Sequence, residues 1–199
     1  MHFLHNRRRL VLAAAVLASL VLSGCAATDP LVEQANSGTS NYVAGDGSVA
    51  EFAIGSRSNP VELSGKLFDG TRVSESDWEG QVAVLNVWYA ACAPCRVEAP
   101  DLAALHEDFA PQGVQFYGIN TRDEAPTAAA FERTFGTNYP SIRDKDGKVL
   151  LALTDFVPAN AVPTTLVLDK QGRVSARILG IADKSVLTAL IRDVLEEDR

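Results

Sequence analysis

Cys92 and Cys95 enclose two residues in Cys92-Ala93-Pro94-Cys95, a spacing that suits a redox-active dithiol. The pair follows a valine-rich apolar run and precedes a segment of helical periodicity, so it is expected at a strand-to-helix junction. A helix N-terminus offers unsatisfied N–H groups and the positive end of the helix dipole, and both stabilise a thiolate. Cys92, at the exposed edge, is the expected attacking sulfur. Cys95, on the first turn and pointing inward, then attacks the mixed disulfide intramolecularly, releasing the reduced substrate and leaving Cys92–Cys95 oxidised. Pro94 fixes the backbone between the two, and Ala93 adds no charge to lower the thiol pKa further. A structural zinc site needs four ligands, but with Cys25 set aside the chain after its leader offers only Cys92, Cys95 and His106. No metal is expected. A purely structural bridge is a weak reading too, because closing so short a loop removes little denatured-state entropy.

The elements that must position this pair can be read from periodicity. Residues 82–88, Val-Ala-Val-Leu-Asn-Val-Trp, form a nearly continuous apolar run, as a central strand covered on both faces requires. Residues 94–109 predict a helix with Leu102, Leu105 and Phe109 on one face and a kink at Pro100. Residues 114–120 predict a second buried strand and residues 125–135 a helix with Pro126 in its first turn. Residues 164–168 and 173–179 flank Asp169-Lys170-Gln171-Gly172 as a hairpin, and Val186 to Leu195 show helical spacing behind a candidate N-cap, Asp183. Nearer the start, residues 61–67 predict a strand that turns at Phe68-Asp69-Gly70-Thr71. The order predicts an α/β domain over residues 56–199, a mixed central sheet with helices on both faces and a strand or hairpin extension before it.

The N-terminus reads as an address. Arg7, Arg8 and Arg9 precede thirteen residues, 10–22, that are apolar apart from Ser19, the plan of a secretory signal. As a helix that segment rises only about 20 Å, short of the roughly 30 Å hydrocarbon core. Leu22-Ser23-Gly24-Cys25 resembles the bacterial lipobox, which implies removal of residues 1–24 and lipidation of Cys25. Residues 25–55, with few large apolar side chains, read as a flexible tether. The chain carries a net charge of -7, and after Cys25 it holds 15 basic against 25 acidic residues. A surface that acidic argues against nucleic acid as a partner, since phosphate binding needs a basic face.

Three further motifs carry a family resemblance. They are Asn86-Val87-Trp88-Tyr89-Ala90-Ala91-Cys92-Ala93-Pro94-Cys95-Arg96-Val97-Glu98-Ala99-Pro100, then Gly118-Ile119-Asn120, then Val162-Pro163-Thr164-Thr165. With them residues 56–199 resemble the thioredoxin superfamily, and within it the TlpA/ResA-like branch of membrane-anchored thiol-disulfide oxidoreductases. The resemblance implies a thioredoxin-like fold, a cis peptide before Pro163 lying against the active-site disulfide, and pairing of the Val162 backbone with the substrate peptide. It implies no cofactor beyond the Cys92–Cys95 disulfide. Glu98 matches the active-site acid of that branch and is expected to relay the proton of Cys95. Two positions depart from the superfamily: Ala91 stands where Trp is common before the first cysteine, and Asn86 where thioredoxin has a buried Asp.

The remaining features are less specific. Trp88 either lines the site or packs beneath it, and is counted with Pro94, Val162 and Pro163 as a substrate-binding residue. His106 reads as an exposed helix residue, and Arg122-Asp123-Glu124 either gathers binding groups at a strand end or is a solvated helix start. The resemblance further implies reduction of client protein disulfides, with apocytochrome c haem-site cysteines among the candidate clients. Electrons would come from a membrane donor of the CcdA or DsbD kind, at the extracytoplasmic face of a bacterial membrane. The alternatives are an oxidant that introduces disulfides, a peroxiredoxin-like enzyme, which would want Thr where Tyr89 stands, a copper chaperone and a non-catalytic binding lipoprotein.

Overall fold

The computed structural model describes residues 48–197, and the lipidation reading of Cys25 and the leader lie outside them. Eight strands appear among the described residues: β1 (Val49–Glu51), β2 (Ser64–Lys66), β3 (Arg72–Ser74), β4 (Ala83–Trp88), β5 (Gln115–Asn120), β6 (Ser141–Arg143), β7 (Thr164–Leu168) and β8 (Val174–Leu179). Four α-helices accompany them: α1 (Ala93–Phe109), α2 (Ala125–Phe135), α3 (Lys148–Ala152) and α4 (Lys184–Glu196). Six strands form one sheet in the order β1-β8-β7-β4-β5-β6, and β2 and β3 form a separate hairpin.

The pairing follows from the connections. β4, β5 and β6 run parallel because helical crossovers join β4 to β5 and β5 to β6, whereas β7 and β8 are antiparallel partners joined by a tight turn. Every residue of β4 is buried, as its unbroken apolar run requires. On one face Val84 packs with Leu102, Leu105 and Phe109 of α1 and with Leu187 and Ile191 of α4. On the other, Leu85 and Val87 join Phe131 of α2, Val149 of α3 and Trp78. The mixed sheet with helices on both faces is therefore the observed architecture. Asp183 caps α4 by accepting the N–H groups of Ser185 and Val186. α1 runs unbroken through Pro100, which lies on the exposed side of the helix. Solvent there can reach the Arg96 carbonyl that the missing proline N–H leaves without its helical partner.

Two expectations need correction. The tether over residues 25–55 ends earlier than its composition implies, because Val49, Ala50 and Glu51 pair with Ile178, Arg177 and Ala176 as an edge strand. A backbone ladder does not need apolar side chains, so so short a strand leaves little pattern. The strand expected over residues 61–67 shrinks to Ser64–Lys66, paired with Arg72–Ser74 around the turn at Gly70, whose φ of 89° only glycine adopts readily.

Arg57 lies at the centre of a buried ion cluster. Its guanidinium contacts Asp169 at 2.9 Å and both carboxylate oxygens of Glu197, and Arg173 donates to the same Asp169 oxygen at 2.8 Å. Burial pushes Asp169 upward, but the Arg173 N–H and the two guanidinium groups outweigh it and hold the carboxyl below its usual range.

Candidate active site

β4 ends at Trp88 and α1 begins at Ala93, so the four intervening residues turn the chain from sheet to helix at the carboxyl end of the central parallel strands. Cys92 is the N-cap of α1, and its Sγ accepts the Cys95 N–H at 3.2 Å. A disulfide joins Cys92 to Cys95. The expectation of an exposed Cys92 is not met in this oxidised state. Cys92 is 0% and Cys95 1% accessible, since the bond to the inward-pointing Cys95 draws the first sulfur into the cluster that holds Trp88, Tyr89 and Val162. What solvent meets at this corner is Ala91, Ala93 and Val97, with Pro94 half-exposed.

The Val162–Pro163 peptide is cis. Thr164 pairs with Val87, which brings Pro163 level with the end of β4, where the cysteine loop starts. Its carbonyl accepts the Gly180 N–H at 2.9 Å. Val162 lies just outside the β7 ladder, and both residues are buried.

Glu98, one turn beyond Cys95, is 1% accessible. One carboxylate oxygen accepts from the Asn86 side-chain amide at 2.7 Å and the other from the Ala182 N–H at 2.8 Å. The same Asn86 nitrogen reaches Thr165 Oγ1 at 3.1 Å. Burial pushes the Glu98 pKa up to about 7, against the pull of the Ala182 and Asn86 donors. Burial, with the charges of Glu98 and Glu132 behind it, raises Tyr139. Asn86 cannot take a proton itself, but it orients the group that can. Sequence reasoning placed Glu98 beside the cysteines and missed its partners Asn86 and Ala182, because the chain does not announce a contact between residues 84 positions apart.

Trp88 is not a substrate surface. It is 3% accessible, and its ring packs on Phe131 with centroids 4.4 Å apart. Gly118 makes room for it: a Cβ there would fall 2.5 Å from Trp88 Nε1 and 2.6 Å from Ser141 Oγ. Gly118→Ala is therefore expected to destabilise the domain by about 1–3 kcal/mol through overpacking. Denaturant unfolding checks this, and an unchanged midpoint would mean that Trp88 repacks freely. His106 is half-buried, not exposed, and its Nδ1 lies 3.0 Å from Asn138 Oδ1 with its ring against Phe116 and Tyr139.

A groove of about 1010 Å³ lies away from the cysteines, between the β2–β3 hairpin and the segment after β6, lined by Lys66, Arg72, Arg143 and Lys145 among others. The reactive sulfurs instead sit behind a corner whose solvent-facing residues Ala91, Ala93, Pro94 and Val97 are apolar. Among the described residues no group of three or more His, Cys, Asp or Glu is placed to hold a metal ion.

The AhpC/TSA family model matches residues 56–177, which contain both cysteines, Glu98 and the cis proline. The chain belongs to the AhpC/TSA family. Its relatives include the thiol:disulfide interchange protein DsbE of Pseudomonas aeruginosa, 37% identical over 131 residues, or 63% of this chain and 68% of the relative. The thiol-disulfide oxidoreductase ResA of Bacillus subtilis is 29% identical over 60% of this chain and 64% of its own length. A solved structure of a secreted thiol-disulfide isomerase from Corynebacterium glutamicum superposes with a TM-score of 0.67 at 32% identity, covering 78% of this chain and 97% of the other. Within the family this chain is a thiol-disulfide oxidoreductase of the thioredoxin superfamily.

Proposed function

We propose that the protein is an extracytoplasmic, lipid-anchored protein disulfide reductase. The observation that carries this reading is the disulfide capping α1 with a carboxyl group held near neutrality one turn behind it. In the reduced state the Cys92 thiolate, favoured by the N–H groups of the first helical turn, attacks a client disulfide. The client S–S bond breaks, a Cys92–client bond forms, and one client thiolate leaves. Glu98 accepts the Cys95 proton, the Cys95 thiolate attacks Cys92 Sγ, and the second client thiol is released. Two electrons have passed to the client, whose two thiolates take up one proton from Glu98 and one from solvent, and an external dithiol must restore Cys92 and Cys95.

Several arguments support the finer assignments. Relatives named thiol:disulfide interchange protein and thiol-disulfide oxidoreductase support the chemistry, and the one described as secreted supports a location outside the cytoplasm. A reductase in an oxidising compartment needs electrons from across the membrane, which points to a donor of the CcdA or DsbD kind. Client proteins, with apocytochrome c haem cysteines as one class, would dock over Pro94 and its exposed neighbours Ala91, Ala93 and Val97, with Val162 and Pro163 buried beneath them. No helix among the described residues is long and apolar enough to cross a membrane, and lipidation of Cys25 would supply the anchor.

The reduction potential of the Cys92–Cys95 couple tests the direction. A reductase is expected near the thioredoxin value of about −270 mV, and a value near the roughly −120 mV of a strong oxidant would assign the opposite direction. For the anchor, membrane-extracted protein reduced under denaturing conditions should yield two alkylatable thiols. A third would undo the lipoprotein reading.

A further inference from the structure

The backbone of Ala90, two residues before Cys92, is gripped from both sides. Its N–H donates to Asp123 Oδ2 at 2.6 Å, and its carbonyl accepts from Arg96 Nε at 2.8 Å. Asp123 is itself fixed. The same Oδ2 accepts from Asn120 Nδ2 at 2.8 Å, while Asn120 Oδ1 accepts the N–H groups of Arg122 at 3.2 Å and Asp123 at 2.8 Å. Asn120 is wholly buried at the end of β5, where its carbonyl takes the Asp144 N–H. Beside this contact the Arg122 guanidinium lies 4.1 Å from the centre of the Tyr89 ring, and the Tyr89 carbonyl accepts the Cys92 N–H at 3.1 Å. The loop that carries the first sulfur is thus held to the end of β5 by Asp123 and to the first turn of α1 by Arg96.

We propose that Asp123 and Arg96 are positioning residues, clamping Ala90 so that Cys92 meets a client disulfide at the distance and angle that in-line attack requires. The physical case has two parts. A carboxylate accepting a backbone N–H makes one of the stronger hydrogen bonds available, and here a buried amide orients it. Reactions between oriented groups lose about a hundredfold in rate for a displacement near 1 Å, so a loop ending at the reacting atom gains from being fixed. Ala91 makes the clamp more necessary, because so small a side chain does little to pin the loop against its surroundings. The inference rests on Cys92 being the attacking sulfur and does not depend on the direction of electron flow.

Both bonds to Asp123 fall on a single oxygen, and this lets geometry be separated from charge. Asp123→Asn keeps an acceptor for Ala90 and Asn120 while removing the charge, whereas Asp123→Ala removes the acceptor. The measurement is the rate at which the protein, kept reduced by excess dithiothreitol, reduces insulin as a function of pH, resolved into kcat and KM, with the unfolding midpoint of each variant beside it. Asp123→Ala is expected to lose about tenfold or more in kcat, and Asp123→Asn to recover to within about threefold of wild type. Attack at the wild-type rate by Asp123→Ala would overturn the clamp, and so would an Asn variant as slow as the Ala variant. Arg96→Lys keeps the cation but loses the guanidinium Nε–H and is expected to slow attack several-fold. It decides the matter if Asp123→Ala fails to fold, and a wild-type rate in it counts equally against the clamp. Insulin left intact by wild type would sink the exchange reading and the clamp with it, whereas exchange by wild type and Asp123→Ala at equal rates sinks the clamp alone.

Discussion

A Cys95→Ala protein is expected to stop after its first half-reaction and accumulate as a covalent complex with its client. Cys92 Sγ remains able to attack, but the thiol that resolves the mixed disulfide is gone. In the wild type that second attack comes from a sulfur on the first turn of the same helix, at an effective concentration no external thiol approaches. Turnover should fall by about 10³-fold or more on this account. The fold should survive, since Cys95 is a small side chain packed beside Ala99 and an alanine leaves little void. Non-reducing electrophoresis with mass spectrometry would reveal the trapped client. Sustained turnover by this variant would show that Cys95 is not the resolving residue.

Replacing Glu98 with glutamine should change both rate and pH dependence. The folded carboxyl titrates at about 7, against a value of 4.5 for the same group unperturbed. Between these values the folded state holds a proton that the unfolded state has released, so stability falls as pH rises. The contribution is complete below about pH 4.5 and is lost as pH passes about 7, an interval that amounts to about 3 kcal/mol. Glu98→Gln should flatten this slope, since Asn86 can turn its amide to meet the new side chain. The same substitution removes the proton acceptor for Cys95 and should cost about 10²-fold in the rate of resolution, with loss of the kinetic inflection near neutrality. If resolution, thiol pKa values and the stability profile all match wild type, Glu98 is only a buried structural carboxyl.

Much of this site was legible in the chain because its chemistry is local. The apolar run ending at Trp88, the two cysteines and the helix start are contiguous, and their periodicities change within a few residues. The cis peptide before Pro163 came from family resemblance and not from composition. What the sequence hid is non-local. Asp123 read equally well as one of a set of binding groups at a strand end or as the solvated start of a helix, yet it serves a backbone N–H 33 positions earlier. β6 and α3 went unread because three and five residues are too short for a period to show, and α3 is held by Asp144, whose carboxylate takes the N–H groups of Val149 and Leu150. Trp88 was ambiguous because a tryptophan at a strand end serves equally well as a rim or as a floor. The missing side chain at Gly118 decides which.

The ion cluster around Arg57 has a further consequence for where the domain can be cut. Arg57 follows the edge strand β1, and its guanidinium ties that segment to Asp169 in the turn between β7 and β8 and to Glu197 just past α4. Starting the chain after residue 57 would strip β1 from the sheet and remove the cation that Asp169 and Glu197 share, so a shortened form has to keep both.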